Sequence, residues 1–288
     1  MGDQTENTVG RPAGSKFFGR LTESFALSEP TWFSALRMTA TATIYTPFGF
    51  AIAADGRQRW EHRPTRDTAT REAESDAAQK IFEIKTGQAA LAYIVQGHIA
   101  NRDRSFDLVV ELRNRAALLS VQNFENCDCF LRTLLDGVEQ EIESAMWDRR
   151  LESYPDAQIS FVGYFQDRPH WTDIHFLSSR NFTGSLYEAI SNDLYPGRCF
   201  VSGSLLIRDL IVARDPRFSQ FCKRIDRTVS LEDAANFVKG YVEACSSPLA
   251  LEVDAGCEEI GGHIHVAVVT PADSLDRSGF QWLTRPLP

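Results

Sequence analysis

At 288 residues, with apolar residues spread evenly and no linker-like stretch inside 39–270, the chain is long enough to build one large domain around a sizeable core. Its net charge is −9 with a pI near 5.2, and its basic residues are scattered among acidic ones, which argues against a nucleic-acid footprint. No run approaches the roughly eighteen apolar residues of a membrane span, and the first residues lack the charged-then-apolar order of a secretory signal, so the expected location is the cytoplasm.

Residues 1–38 open with a polar, Gly-rich stretch to Ser15 that buries little, then turn apolar and aromatic from Phe17 to Leu36. The next stretch, Thr39 to Arg57, is the one around which the chain is organised. Thr39-Ala-Thr-Ala-Thr43 alternates β-branched and small residues, Pro47-Phe-Gly49 supplies turn chemistry, and Phe50 to Ala54 runs apolar into Asp55. This predicts a hairpin whose second strand is buried. Gln58 to Gln79 is charged and contains Pro64, so an exposed excursion is expected. Short strands follow over Lys80–Ile84 and Ala89–Val95, the second broken at Gln96-Gly97.

Two helices come next, one capped by Asn101 or Ser105 and running to about Ser120, the other over Cys129–Arg149 with an apolar stripe from Leu131 to Met146. Ala157–Phe165 and His170–Leu177 read as a hairpin joined by Gln166-Asp-Arg-Pro169. After Arg198–Ser204, Leu205–Ala213 predicts a helix, and Ser230-Leu-Glu-Asp233 starts another like a capping box. Gly261–Thr270 is a closing strand, and Pro271–Pro288 a tail with Phe280, Trp282 and Leu283 available for docking.

The hairpin resembles the opening of a proteasome β-subunit, an N-terminal-nucleophile hydrolase in which an Ala-Ala-Asp-x-Arg element closes the second strand. Asp55-Gly56-Arg57 fits that element, and the family places its nucleophilic Thr sixteen residues before the Asp (55 − 16 = 39), at Thr39. Lys80 stands where the family has its catalytic Lys, Gly97 where a backbone N–H serves the oxyanion, and Ser202-Gly203 where a Ser-Gly pair lies beside the active Thr. Over about 39–270 the resemblance implies an α+β fold, a four-layer αββα sandwich. It implies a threonine peptidase acting on a peptide or polypeptide, needing no cofactor or metal, and built into a ring or other closed homo-oligomer. Such a ring admits an ATP-driven unfoldase as a partner. Residues 1–38 are then a propeptide, or else a permanent arm docked on the core or on a neighbouring subunit.

In that scheme the freed α-amine of Thr39 is the base for its own hydroxyl. Lys80 supplies a fixed positive charge, Asp55 holds Lys80, Ser202 bonds near the amine, and the Gly97 N–H stabilises the oxyanion. The plainer alternative for each is structural: Thr39 a strand residue, Lys80 and Asp55 an ion pair, Ser202-Gly203 a turn. Two departures favour an inactive relative that keeps the fold as a structural or binding subunit. Met38 replaces the Gly that family members have before the nucleophile, and Cys257-Glu-Glu-Ile260-Gly-Gly262 replaces Asp-x-x-Ser-Gly-Gly. Glu258, Glu259 or Asp254 would have to supply the missing carboxylate. A small-amide hydrolase of the same superfamily is a third reading.

The six cysteines include no CxxC pair and read as reduced thiols, with Cys127-Asp-Cys129 lacking a second pair at zinc spacing. His263 and His265 have a spacing compatible with two metal ligands but no evident third, so they read as a sheet-face pair. His98 reads as an ordinary loop histidine.

Overall fold

The computed structural model describes residues 39–59, 73–98, 105–222, 227–271 and 279–287. The expectations for residues 1–38, Met38 among them, for the middle of the excursion at 60–72 and for Asn101 as a cap lie outside the described residues.

In chain order the elements are β1 (Thr41–Thr46), β2 (Gly49–Ala54), β3 (Gln58–Arg59), β4 (Ala73–Ser75), β5 (Ile81–Lys85), β6 (Ala89–His98), α1 (Leu108–Leu119) and α2 (Cys127–Trp147). They continue with β7 (Asp156–Phe165), β8 (Arg168–Phe176), β9 (Tyr187–Ser191), β10 (Cys199–Ser202), α3 (Leu205–Val212), α4 (Leu231–Cys245), α5 (Pro248–Val253), β11 (His265–Val269) and β12 (Phe280–Thr284). The fold is α+β. One five-stranded sheet has the order β10-β1-β2-β11-β12 and the other β5-β6-β7-β8-β9, with β3 and β4 forming a small separate ladder. Every pairing is antiparallel.

Alternation along the strands sorts the core. In β1 and β2, Ala42, Ile44, Ala51 and Ala53 face α4, where Val238, Tyr241 and Val242 close over them. Phe50, Ile52 and Ala54 face the opposite way and meet Ile81, Ala92, Ile94, Val162 and Trp171 of the second sheet. The outer face of that second sheet packs on α1 and α2 through Leu112, Leu134, Leu135 and Val138. β2 is therefore buried on both faces, as its unbroken apolar run requires.

Helix starts follow side-chain caps. Asp107 Oδ1 accepts from the Val109 N–H at 2.9 Å, so α1 begins there and not at Ser105. Asn126 Oδ1 accepts from the Cys129 N–H at 2.9 Å, so α2 begins two residues before the predicted start and takes Cys127 and Cys129 into its first turn. All six cysteines are free. Burial pushes the Cys127 thiol up to about 12. Ser230 caps α4, as the sequence predicts, and Ser204 caps α3.

Five details differ from the sequence reading. The excursion after β2 is not all loop, since Gln58–Arg59 and Ala73–Ser75 pair. β6 does not break at Gln96-Gly97 but runs on to His98, because β7 supplies ladder partners as far as Asp156. The β7–β8 turn is only Gln166 and Asp167, both at positive φ, and Pro169 lies inside β8 opposite Tyr164. The strand tolerates Pro169 because β9 pairs with β8 only from Thr172 onward, leaving the outer edge at 169 free of ladder bonds. β9 and α5 carry no strong sequence signal. Finally, residues 280–284 are not simply a docked tail: they pair with β11 as an edge strand, placing Phe280 and Trp282 against the layer between the sheets.

Candidate active site

The site lies at one end of the space between the sheets, where β1 begins, β2 ends and β5 begins. Asp55, the residue after β2, is fully buried. Its Oδ1 accepts from the Ala40 N–H at 3.1 Å and from Lys80 Nζ at 2.8 Å. Its Oδ2 accepts from the N–H groups of Arg57 and Gly261, each at 3.2 Å. Four donors on one buried carboxylate offset its loss of water and fix its orientation.

Lys80 precedes β5 and reaches back across the gap. Its Nζ donates to Thr39 Oγ1 at 3.3 Å as well as to Asp55, so a single ammonium joins the hydroxyl at the head of β1 to the carboxylate at the foot of β2. Its side chain is only 11 % exposed. A nearly buried cation beside a hydroxyl favours deprotonated neighbours.

Ser202 sits at the end of β10, opposite Thr41 in the ladder. Thr41 Oγ1 and Ser202 Oγ are 3.2 Å apart, Gln96 Nε2 donates to Thr41 Oγ1 at 2.7 Å, and Ser202 Oγ lies 2.8 Å from Gln96 Oε1 and 3.1 Å from the Thr39 carbonyl oxygen. The Gln96 amide donates to Thr41 and Thr41 to Ser202, whose single hydroxyl proton is shared between the Gln96 and Thr39 carbonyl oxygens. Gly203 follows with φ +114°, and a Cβ there would lie 3.2 Å from Ala40 Cα, so the glycine lets β10 lie close against the start of β1.

Gly97 lies near the end of β6 with φ +96°, and a Cβ there would lie 2.5 Å from the Asp156 carbonyl oxygen. Val95 N–H donates to the Lys80 carbonyl at 3.1 Å.

The loop before β11 reaches the site through its backbone. Arg57 donates through Nε to Asp76 Oδ1 at 2.8 Å and through Nη1 to the carbonyls of Glu258 at 3.0 Å and Ile260 at 3.3 Å. Asp254 does not turn toward Thr39: its Oδ2 accepts from Ser204 Oγ at 2.6 Å and its Oδ1 from the Gly256 N–H at 2.9 Å. Glu258 is exposed, and Cys257 and Ile260 are buried.

Thr39, Asp55, Lys80 and Ser202 thus converge within hydrogen-bonding reach, with Gly203 against Ala40 beside them. Gln96 and His265 are the additions that the sequence reading missed. Gln96 was legible in principle, since it follows Ala92 and Ile94 at period two on the face toward the first sheet. His265 is fully buried, with Nε2 2.8 Å from the Ala78 carbonyl oxygen; burial lowers its pKa, and His263 and Lys80 press the same way against the Ala78 carbonyl and Asp55. His263 Nε2 instead meets the Arg285 carbonyl oxygen at 2.7 Å.

No protein-family model matches the sequence, and no curated protein matches it either. Solved structures do match. A (Gly-1) mutant of Anbu from Hyphomicrobium sp. strain MC1 aligns with a TM-score of 0.50 and 15% identity, covering 85% of this chain and 87% of that one. Anbu from Pseudomonas aeruginosa, described as a helical assembly, aligns with a TM-score of 0.50 and 11% identity, covering 85% and 86%. Anbu from Yersinia bercovieri, described as an ancestral β-subunit, gives 0.49 and 13% over 85% and 87%. At such identities the likeness is one of fold, and the fold it shares is proteasome-related.

Proposed function

We propose that this chain is a proteasome-type N-terminal-nucleophile hydrolase, a four-layer αββα sandwich in which Thr39, freed by removal of residues 1–38, hydrolyses a peptide bond. The observation that carries the reading is the Lys80 ammonium shared between Thr39 Oγ1 and the buried Asp55. A structural ion pair needs only the second of those contacts.

Once Met38–Thr39 is cut, the new α-amine, which titrates near pH 8 in model peptides, takes the hydroxyl proton as Oγ1 attacks the substrate carbonyl. Lys80, held by Asp55, favours the neutral amine and the developing alkoxide. The Gly97 N–H is the donor assigned to the oxyanion, and the amine returns its proton to the leaving nitrogen. Water then attacks the ester, releasing the acid and restoring the hydroxyl. Ser202, whose Oγ is 3.1 Å from the Thr39 carbonyl, holds the first residue in place. By the same reading the active form is a cytoplasmic homo-oligomer, a ring or other closed assembly, that takes peptides or chains delivered by an ATP-driven unfoldase.

A second reading, an inactive subunit that keeps its N-terminal arm, is favoured by the buried apolar Cys257 and Ile260 at positions where active relatives have Asp and Ser. Intact mass of the purified protein separates the two. Loss of residues 1–38, labelling of the new terminus by an electrophile directed at N-terminal Thr, and loss of both in Thr39→Ala are expected. A full-length chain inert to the electrophile would establish the second reading instead.

A further inference from the structure

We infer that His265 is a positioning residue of this site: it holds the segment that presents Lys80, and the site is assembled only while its imidazole is neutral. The inference rests on Thr39 and Lys80 acting as proposed above.

His265 opens β11 directly opposite Ala54, whose other ladder neighbour is Thr41, which in turn faces Ser202. One cross-strand row, Ser202, Thr41, Ala54, His265, therefore lines the site from end to end. A carbonyl oxygen only accepts, so the 2.8 Å contact to Ala78 places the ring proton on Nε2. Nδ1 is then a bare lone pair, and it is buried without a hydrogen-bond partner.

The bond is well placed to matter. Ala78 lies two residues before Lys80, its N–H donates to the Gly56 carbonyl at 2.8 Å, and the Asp76 carbonyl accepts from the His263 N–H at 2.6 Å. Residues 76–78 are thus pinned by backbone bonds on one side and by the imidazole on the other, and Lys80 inherits that position. Misplacement by about an ångström can cost on the order of a hundredfold in rate.

Protonation would undo the arrangement. Among the described residues, the titratable groups acting on the ring are Lys80 just before β5, Asp55 just after β2 and His263 on its own segment, 5.3 Å away ring to ring; β12 offers Trp282, which carries no charge. A proton on Nδ1 would create a buried cation with no acceptor beside the Lys80 ammonium, and Asp55 already accepts from four donors.

Two variants of the full chain separate the bond from the charge. His265→Gln keeps an N–H at similar reach but does not titrate, and His265→Leu fills the space without a donor. For the unaltered protein, the logarithm of kcat/KM against pH should steepen on the acid side from a slope of about one, due to the α-amine, to about two, as His265 also takes a proton. His265→Leu should lose tenfold or more at neutral pH, on the order of what a misplaced Lys80 costs. His265→Gln should recover most of that loss and keep a slope of about one throughout. A His265→Gln profile that still steepens, or a His265→Leu enzyme of full activity, overturns the inference. Should the unaltered protein be unprocessed and inert, the hydrolase reading falls, and NMR of the Lys80 side-chain nitrogen decides the positioning claim. Its signal must follow the His265 titration, move in His265→Leu and stay in His265→Gln; a signal indifferent to all three refutes it.

Discussion

Asp55 is where the most chains of contact meet, because its two oxygens face different duties. Oδ1 serves Lys80 and the Ala40 N–H, while Oδ2 serves the backbone of Arg57 and Gly261. Asp55→Asn keeps the shape but can offer a carbonyl oxygen to only one of these pairs. Its NH2 must then oppose two donors, and a buried Lys80 loses its counter-charge whichever way the amide turns. Breaking one side of a buried pair costs about 3–5 kcal/mol, so Asp55→Asn should lower the unfolding free energy by that amount, read as a lower urea midpoint, and abolish processing at Thr39. A variant as stable as the parent would mean that Lys80 finds another partner and that the carboxylate does not organise the site.

Among the elements, the β7–β8 hairpin shows both what the residues announce and what they conceal. The alternation of both strands is plain in the sequence, yet the turn residues mislead. Pro169 looks like turn chemistry, but the register sets Phe165 against Arg168 and leaves Gln166 and Asp167, at φ +49° and +60°, to make the reversal. A turn with both central residues at positive φ prefers Asn-Gly. Replacing Asp167 by Gly, which keeps the Gln166 Nε2 bond to the Phe124 carbonyl, should relieve left-handed strain of about 1 kcal/mol and raise Tm without touching activity. The same distinction between local and lateral information runs through the site. Thr39, Asp55 and Lys80 are singled out through the resemblance, whose motif runs along elements that follow one another closely in the chain. The face Gln96 occupies follows from its period-two position, but its role and that of His265 come from neighbours elsewhere in the chain, Thr41 and Ser202 for one and Ala78 for the other. β9 escaped for a related reason: four of its five residues are exposed, so no apolar face marks it.

For the molecule as a whole, the decisive feature is that the layer between the sheets is closed by the last strand. Phe280 is nearly buried and Trp282 packs beside it edge-to-face at 5.1 Å, both against a cluster that includes Phe50, Ala267 and Val269. Trp282 also stands edge-on to His265 at 6.5 Å. A chain ending at Gly279 would lose both rings, turn β11 into an exposed sheet edge and open the layer that seats His265. Each ring contributes up to about 3–5 kcal/mol when truncated from a core, against a typical total stability of about 5–15 kcal/mol. The shortened chain should therefore be largely unfolded or aggregated at room temperature by circular dichroism, whereas Phe280→Ala, which keeps the strand and Trp282, should fold with a lowered urea midpoint. If the shortened chain instead melts like the parent, β12 is an appendage and the two sheets hold together without it. The site would then depend only on β1, β2, β5, β6, β10 and β11, and the final residues could be removed without changing the Thr39–Lys80 contact.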